Sequence, residues 1–202
     1  MKQTLFTLSL ITAVTLLLSC GAAVMPRAEA QHEHSEIREM QRSQLPGFRG
    51  VNDAVAVVHP TADNDAHGTV RFHHHEDGHV IVTARIEGLA PNSSHGFHIH
   101  EFGDCSAADG TSAGGHYNPG DHPHALPNGD ERHAGDLGNL EANDEGVAEL
   151  ELTVDNITLA GVPNPIVGRG VIVHQQEDDG SQPTGNAGAR IGCGVIGVAQ
   201  GE

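Results

Sequence analysis

The sequence predicts an all-β fold: an eight-stranded antiparallel sandwich or barrel with two long functional loops. Three observations lead there. From residue 51 onward, apolar and polar residues alternate with a period of two in eight separate segments, and no long stretch shows a 3.6-residue period. Glycine is abundant, at 26 residues, and turn chemistry sits between most of the segments. Aromatic residues make up only 3% and tryptophan is absent, so packing must rely on small, aliphatic and β-branched side chains. At 202 residues the chain is long enough for one domain with a real core plus flanking segments.

Taken in order, AVAVVHP (54–60) and GTVRFHHH (68–75) read as strands. HVIVTARIEGL (79–89) follows the hairpin signal Glu76-Asp77-Gly78. The imidazoles of His73, His74, His75 and His79 invite a metal-cluster reading. Neighbours on one strand point to opposite faces, however, so the triplet cannot converge, and exposed imidazoles at a hairpin end are expected instead. SHGFHIHEF (94–102) is the fourth strand. DLGNLEA (136–142) and GVAELEL (146–152) are joined by Asn143-Asp144-Glu145-Gly146. GRGVIVHQ (168–175) and RIGCGVIGVA (190–199) complete the set. Residues 103–135, rich in Gly, His, Pro and Asp, and residues 176–189 break the rhythm. Loops of such length in a compact domain are either functional or disordered.

The N-terminus reads as an export signal. Lys2 precedes an apolar run from Leu5 to Leu18, which is shorter than the ~20 residues of a membrane-spanning helix. The run ends in Leu17-Leu18-Ser19-Cys20-Gly21, which resembles the lipobox of bacterial lipoproteins, with Cys20 as the lipidated residue. Cleavage after Ala28-Glu29-Ala30 is the alternative. The lipobox is preferred because it abuts the apolar run. This divides the chain into a signal peptide (1–20), a flexible tether containing His32 and His34 (21–50), and a domain (51–202). Both export readings imply an oxidising compartment, the periplasm or cell envelope. They also leave only Cys105 and Cys193 of the three cysteines, and two cysteines allow one pairing. Asn92 and Asn156 head Asn-x-Ser/Thr sequons, which matter only in a eukaryotic secretory pathway, and the lipobox argues against that. The formal charge of −17 disfavours nucleic acid and anionic membrane surfaces as partners.

Histidine is the outlier, with 16 copies against 10 for Lys and Arg together. His98 and His100 are an i, i+2 pair, so both rings leave one face of an extended strand and can address one point. Imidazole suits copper and zinc alike. Beyond them, the first loop offers His116, His124, His133 and Asp136, and GRGVIVH ends in His174.

GFHIHEFGDC (96–105), SAGGHYNP (112–119), ERHAGDLGN (131–139), VIVH (171–174) and GNAGARIGCGVIG (185–197) together resemble the successive signatures of the Cu,Zn superoxide dismutases, over about residues 51–200. The resemblance implies a Greek-key barrel and an enzyme that disproportionates superoxide to dioxygen and hydrogen peroxide, serving antioxidant defence in the envelope. It implies one Cu2+ per subunit on His98, His100, His116 and His174. It implies one Zn2+ on His116, His124, His133 and Asp136, with His116 shared. Asp178 matches an aspartate that hydrogen-bonds one ligand of each metal, Arg190 the cation beside copper, and Thr184 a channel-wall residue. His116 and Arg190 are the implied catalytic groups, and Cys105–Cys193 the implied disulfide. Phe102, Gly103, Val167, Gly168 and Val198 match dimer contacts of eukaryotic members, so a homodimer is expected. The 176–189 loop is shorter than in animal members and lacks their lysine and paired glutamates, leaving Arg190 as the main steering charge. A metal buffer on the same fold, with the tail and hairpin histidines as loading sites, is the competing reading. It would need neither Arg190 nor an open copper face.

Overall fold

All eight alternating segments form strands, with bounds shifted by at most a few residues. In chain order they are β1 (Asp53–Pro60), β2 (His67–His74), β3 (Val80–Glu87), β4 (Ser94–His100), β5 (Asp136–Glu141), β6 (Ala148–Val154), β7 (Gly170–His174) and β8 (Arg190–Val198). This computed structural model describes residues 50–129 and 131–201. Cys20, the tether and its His32 and His34 lie outside the described residues.

The strands hydrogen-bond in the order β5-β4-β7-β8-β1-β2-β3-β6, and every neighbouring pair is antiparallel. An Ala142–Ala148 bridge draws the outer strands β5 and β6 together, so the sheet closes into a nearly complete barrel. The β3–β4 and β6–β7 connections each cross between non-neighbouring strands, as Greek-key connectivity requires. Alternate residues fill the interior: Ala54, Ala56 and Val58 from β1, Val70 and Phe72 from β2, and Val80, Val82 and Ile86 from β3.

The 155–167 stretch, to which the sequence pattern assigns no strand, supplies Ile157, Leu159 and Ile166 to the same core. It is held by its own turns: the Ile166 N–H donates to Thr158 O at 2.9 Å, and the Thr158 hydroxyl donates to Pro163 O at 2.7 Å. Prolines and a left-handed Asn164 (φ 50) bend the backbone there, which erases any period.

The strand β4 departs from simple alternation, because every residue from His95 to His100 is buried. Phe97 and Ile99 face the core. Gly96, His98 and His100 face the other way and are covered by the two long loops. Glycine is needed at 96 because a Cβ there would approach Ala187 Cβ to 2.7 Å. The strand β7 does the same: Val171 and Val173 enter the core, and Ile172 packs outward against Ala113 and Cys193. Both long loops are ordered over their described residues. The Cys105–Cys193 disulfide, with Cα atoms 5.8 Å apart, ties the start of the first loop to β8. The same loop is hydrogen-bonded along β4, with Tyr117 N–H on Ile99 O and Ile99 N–H on Gly135 O, both at 2.9 Å.

Candidate metal centre

The seven predicted metal ligands meet in two groups. His98, His100, His116 and His174 form one. His116, His124, His133 and Asp136 form the other, and His116 belongs to both. Within each group every residue offers a ligand atom within 4.8 Å of the others, and all seven residues are buried. Three strands and one loop assemble them. The face of β4 opposite the core presents His98 and His100, β7 ends in His174, β5 begins with Asp136, and the first loop carries the rest. A His100–His116 bridge sets that loop against β4.

Hydrogen bonds to the far side of each ring fix which nitrogen is free. His98 Nε2 donates to Asp178 Oδ2 at 2.8 Å, His100 Nδ1 to Gly114 O at 3.0 Å, and His174 Nδ1 to Gly188 O at 3.2 Å. Each acceptor carries no proton of its own, so the proton sits on the bonded ring nitrogen and the other nitrogen keeps a lone pair. Those lone pairs point inward: His100 and His174 bring their Nε2 atoms to 3.4 Å, and His98 Nδ1 is buried with no hydrogen-bond partner. Burial pulls His98 down to about 4 and His174 to about 3, and lowers His100 well below its ordinary value, so all three are neutral near pH 7.

In the second group, His116 Nδ1 and His133 Nδ1 face each other at 3.3 Å, each 3.1 Å from Asp136 Oδ1. His124 Nδ1 is buried 3.0 Å from Asp136 Oδ2, close enough for an ion pair but without a hydrogen bond. Ligand atoms about 2.0–2.1 Å from a tetrahedral ion stand about 3.3 Å apart, so nitrogens facing at this spacing, with one nitrogen of each of two rings orphaned, fit a metal. Burial alone would depress His124, but Asp136 and Asp178 outweigh it and hold the ring up at about 9. Burial would raise the two carboxylates, yet hydrogen bonds from the rings keep both well below the usual carboxylate range. Two carboxylates facing this ring favour a cation there electrostatically, and a metal ion held by the group would take the place of ring protons.

Asp178 joins the groups. Its Oδ2 accepts from His98, and its Oδ1 accepts from His124 Nε2 at 2.9 Å. Gly185, at φ 73, lies so close that a Cβ would strike this carboxylate. Arg190 opens β8 and spends two N–H groups on the first loop, Nη1 on Gly110 O and Nη2 on Gly114 O, both at 2.6 Å. Gly114 O is also the acceptor for His100, so one carbonyl aligns a ligand ring and the guanidinium together. That charge contributes to the lowered pKa of both His100 and His174. Thr184 is exposed one residue before Gly185.

Two amide clamps, Asn139 on β5 and Gln182 in the second loop, have partners that the sequence does not reveal, since an amide side chain looks alike whether it binds water or a distant backbone. Asn139 accepts Asp178 N–H at 2.8 Å and donates to Asp178 O at 3.0 Å. Gln182 donates to His124 O at 2.6 Å and accepts His124 N–H at 3.2 Å, so the second loop grips the backbone of a second-group residue at two points. His95, also unassigned, donates from Nδ1 to His174 O at 2.8 Å. Gln182→Ala is expected to speed loss of metal from the second group to a chelator by about tenfold, with retention by the first group little changed. Equal loss from both groups would show that the clamp acts on the whole loop and not on His124.

Two comparisons with known proteins bear on this geometry. The family model described as "Copper/zinc superoxide dismutase (SODC)" matches residues 66–196. "Superoxide dismutase [Cu-Zn] 3" of Arabidopsis thaliana is 45% identical over 157 residues, covering 74% of this chain and 93% of the relative.

Proposed function

The chain belongs to the copper/zinc superoxide dismutase family, and on that premise we propose how its own residues divide the work of the activity. That activity is superoxide disproportionation, with copper and zinc as cofactors. One observation supports the assignment most: two buried four-residue groups share a single imidazole. His98, His100, His116 and His174 would hold copper, since four neutral nitrogens accommodate both of its oxidation states. His116, His124, His133 and Asp136 would hold zinc, for which three nitrogens and one carboxylate form a closed site.

When bound, copper supplies one-electron exchange with superoxide, and zinc polarises the shared imidazole. The chain does the rest. His116 keeps Nδ1 on the Asp136 side, leaving Nε2 to take up a proton and release it to the second superoxide. Solvent supplies the other proton, so two superoxide anions and two protons give one dioxygen and one hydrogen peroxide. Arg190 keeps N–H hydrogens beyond those given to Gly110 and Gly114, and these dock the anionic substrate beside His100 and His174. With a net charge of −17, attraction must be local, and Arg190 provides it.

The test is superoxide consumption by the copper- and zinc-loaded chain against its metal-free form and Arg190→Ala. The loaded chain must be far faster than the metal-free one. Arg190→Ala is expected to lose about tenfold or more, with a weaker dependence on ionic strength. Arg190→Lys should recover only part, because a single ammonium cannot hold both carbonyls and a substrate. An unchanged rate in Arg190→Ala would remove the docking role.

Export to the envelope and lipidation of Cys20 rest on the lipobox pattern, and the Cys105–Cys193 disulfide is consistent with an oxidising compartment. Homodimerisation rests on the motif match at Phe102, Gly103, Val167, Gly168 and Val198. It is supported by exposure of 57% at Phe102 and 58% at Val198, unusual for large apolar side chains.

A further inference from the structure

We propose that the tip of the β2–β3 hairpin is an additional surface metal site, taking a divalent transition ion with affinity for imidazole, Cu(II) ahead of Zn(II). The triplet His73-His74-His75 does not converge by itself. What converges is one member of it with a residue across the turn. His75 and His79 flank a three-residue loop whose Gly78 sits at φ 92, and they are paired through the His75 N–H donated to His79 O at 2.9 Å. Residues paired in this way present their side chains on the same face of the hairpin. Asp77 folds back from the loop between them, its Oδ1 3.0 Å from Nδ1 of both His75 and His79. Three ligand-bearing side chains therefore meet at one carboxylate oxygen.

The carboxylate is held in place. The His79 backbone N–H donates to Asp77 Oδ1 at 3.1 Å, and this bond, with help from His75, keeps Asp77 down at about 2 and hence anionic. A third imidazole is at hand. His73 lies near the end of β2, two residues before His75, and an extended backbone there puts the two side chains on one face. Its Nδ1 donates to Asp53 Oδ1 at 2.8 Å, leaving Nε2 with the lone pair, the arrangement by which carboxylates orient metal-binding histidines. The side chains of His73, His75 and His79 are 54%, 50% and 42% exposed, so an ion can reach them from solvent.

The position is remote from the buried centre. Asp53 pairs with His73 at one end of β1, and Pro60 at the other end pairs with Gly192, two residues from Arg190. Those ends are about 20 Å apart along the strand. The acidic chain favours cations over its surface generally, and for a given nitrogen–oxygen site Cu(II) binds more tightly than Zn(II).

The test uses the full chain, loaded with copper and zinc at the buried groups and then dialysed against added Cu(II) or Zn(II). Metal content is read by elemental analysis, and added Cu(II) by its electron paramagnetic resonance signal. Parent and His32→Ala/His34→Ala chains should each retain about one further Cu(II). Imidazole nitrogen couplings should be visible in its signal. His75→Ala/His79→Ala should lose that equivalent and signal while consuming superoxide at the parent rate, which also shows that the variant is folded. Asp77→Asn should bind it more weakly. No further equivalent, one that survives the hairpin substitutions, or one that vanishes with the tail substitutions would each overturn the proposal.

Discussion

His116→Ala is expected to cut superoxide consumption by at least about a hundredfold and to lower retention of both metals together. No other residue belongs to both groups. Its loss removes one ligand from each group, so the proposed proton carrier disappears along with the bridge. His174→Ala is the informative contrast. It belongs to the first group alone and should lower copper while leaving zinc in place. Stopped-flow decay of superoxide and elemental analysis of the dialysed variants measure both effects. If His116→Ala kept zinc at the parent level and activity within tenfold, the shared-imidazole reading would fail.

The second large effect lies in the disulfide. Cys105 and Cys193 are separated by 88 residues, a closure whose chain-entropy contribution is about 4.6 kcal/mol. Whole domains are stable by about 5–15 kcal/mol, so Cys105→Ser/Cys193→Ser would remove a large share of the total. For a domain of this size the expected fall in Tm is about 10–20 °C, read by calorimetry on metal-free protein so that bound ions do not mask it. Function should suffer too. The bridge anchors the loop that contains Gly110 and Gly114, whose carbonyls align Arg190 and His100. The double variant should therefore lose copper faster than the parent even where it remains folded. A Tm within about 3 °C of the parent would show that the Ile172–Ala113 contact and the β4 hydrogen bonds hold the loop without the bridge.

Much of the barrel is legible because alternation is a local property. A residue and its second neighbour share a face whatever the rest of the chain does, so β1, β2 and β3 are readable one segment at a time. The same logic reaches His98 and His100. It fails at Ile157, Leu159 and Ile166, which enter the core from a bent segment with no period to detect. It also fails at β4 as a whole. Alternation marks one face of that strand as polar, and only the covering loops make that face a buried interior. Gln182 and Asn139 lie beyond it for another reason: their partners are 58 and 39 residues away, and nothing about an amide side chain announces such a partner.

The hairpin histidines show the limit from the other side. The rule that successive strand residues diverge is correct for His73, His74 and His75. Convergence of His75 with His79 on Asp77 depends on the pairing across the turn, which places the residues just beyond β2 and just before β3 side by side. Arg190 is similar: motif matching points to a cation near copper, and the structure adds that it also staples the first loop.

By itself, the sequence determined which residues alternate, which carry nitrogen, carboxylate or sulfur, and in what order they come; that suffices for the all-β class and for a pool of metal-binding candidates. Only the tertiary structure decided which nitrogen of each ring is free and which side chains of the second loop and of β5 hold the ligands in place. Those choices depend on hydrogen bonds between segments far apart in the chain, and such bonds exist only once the barrel brings both loops onto the outer face of β4 and β7.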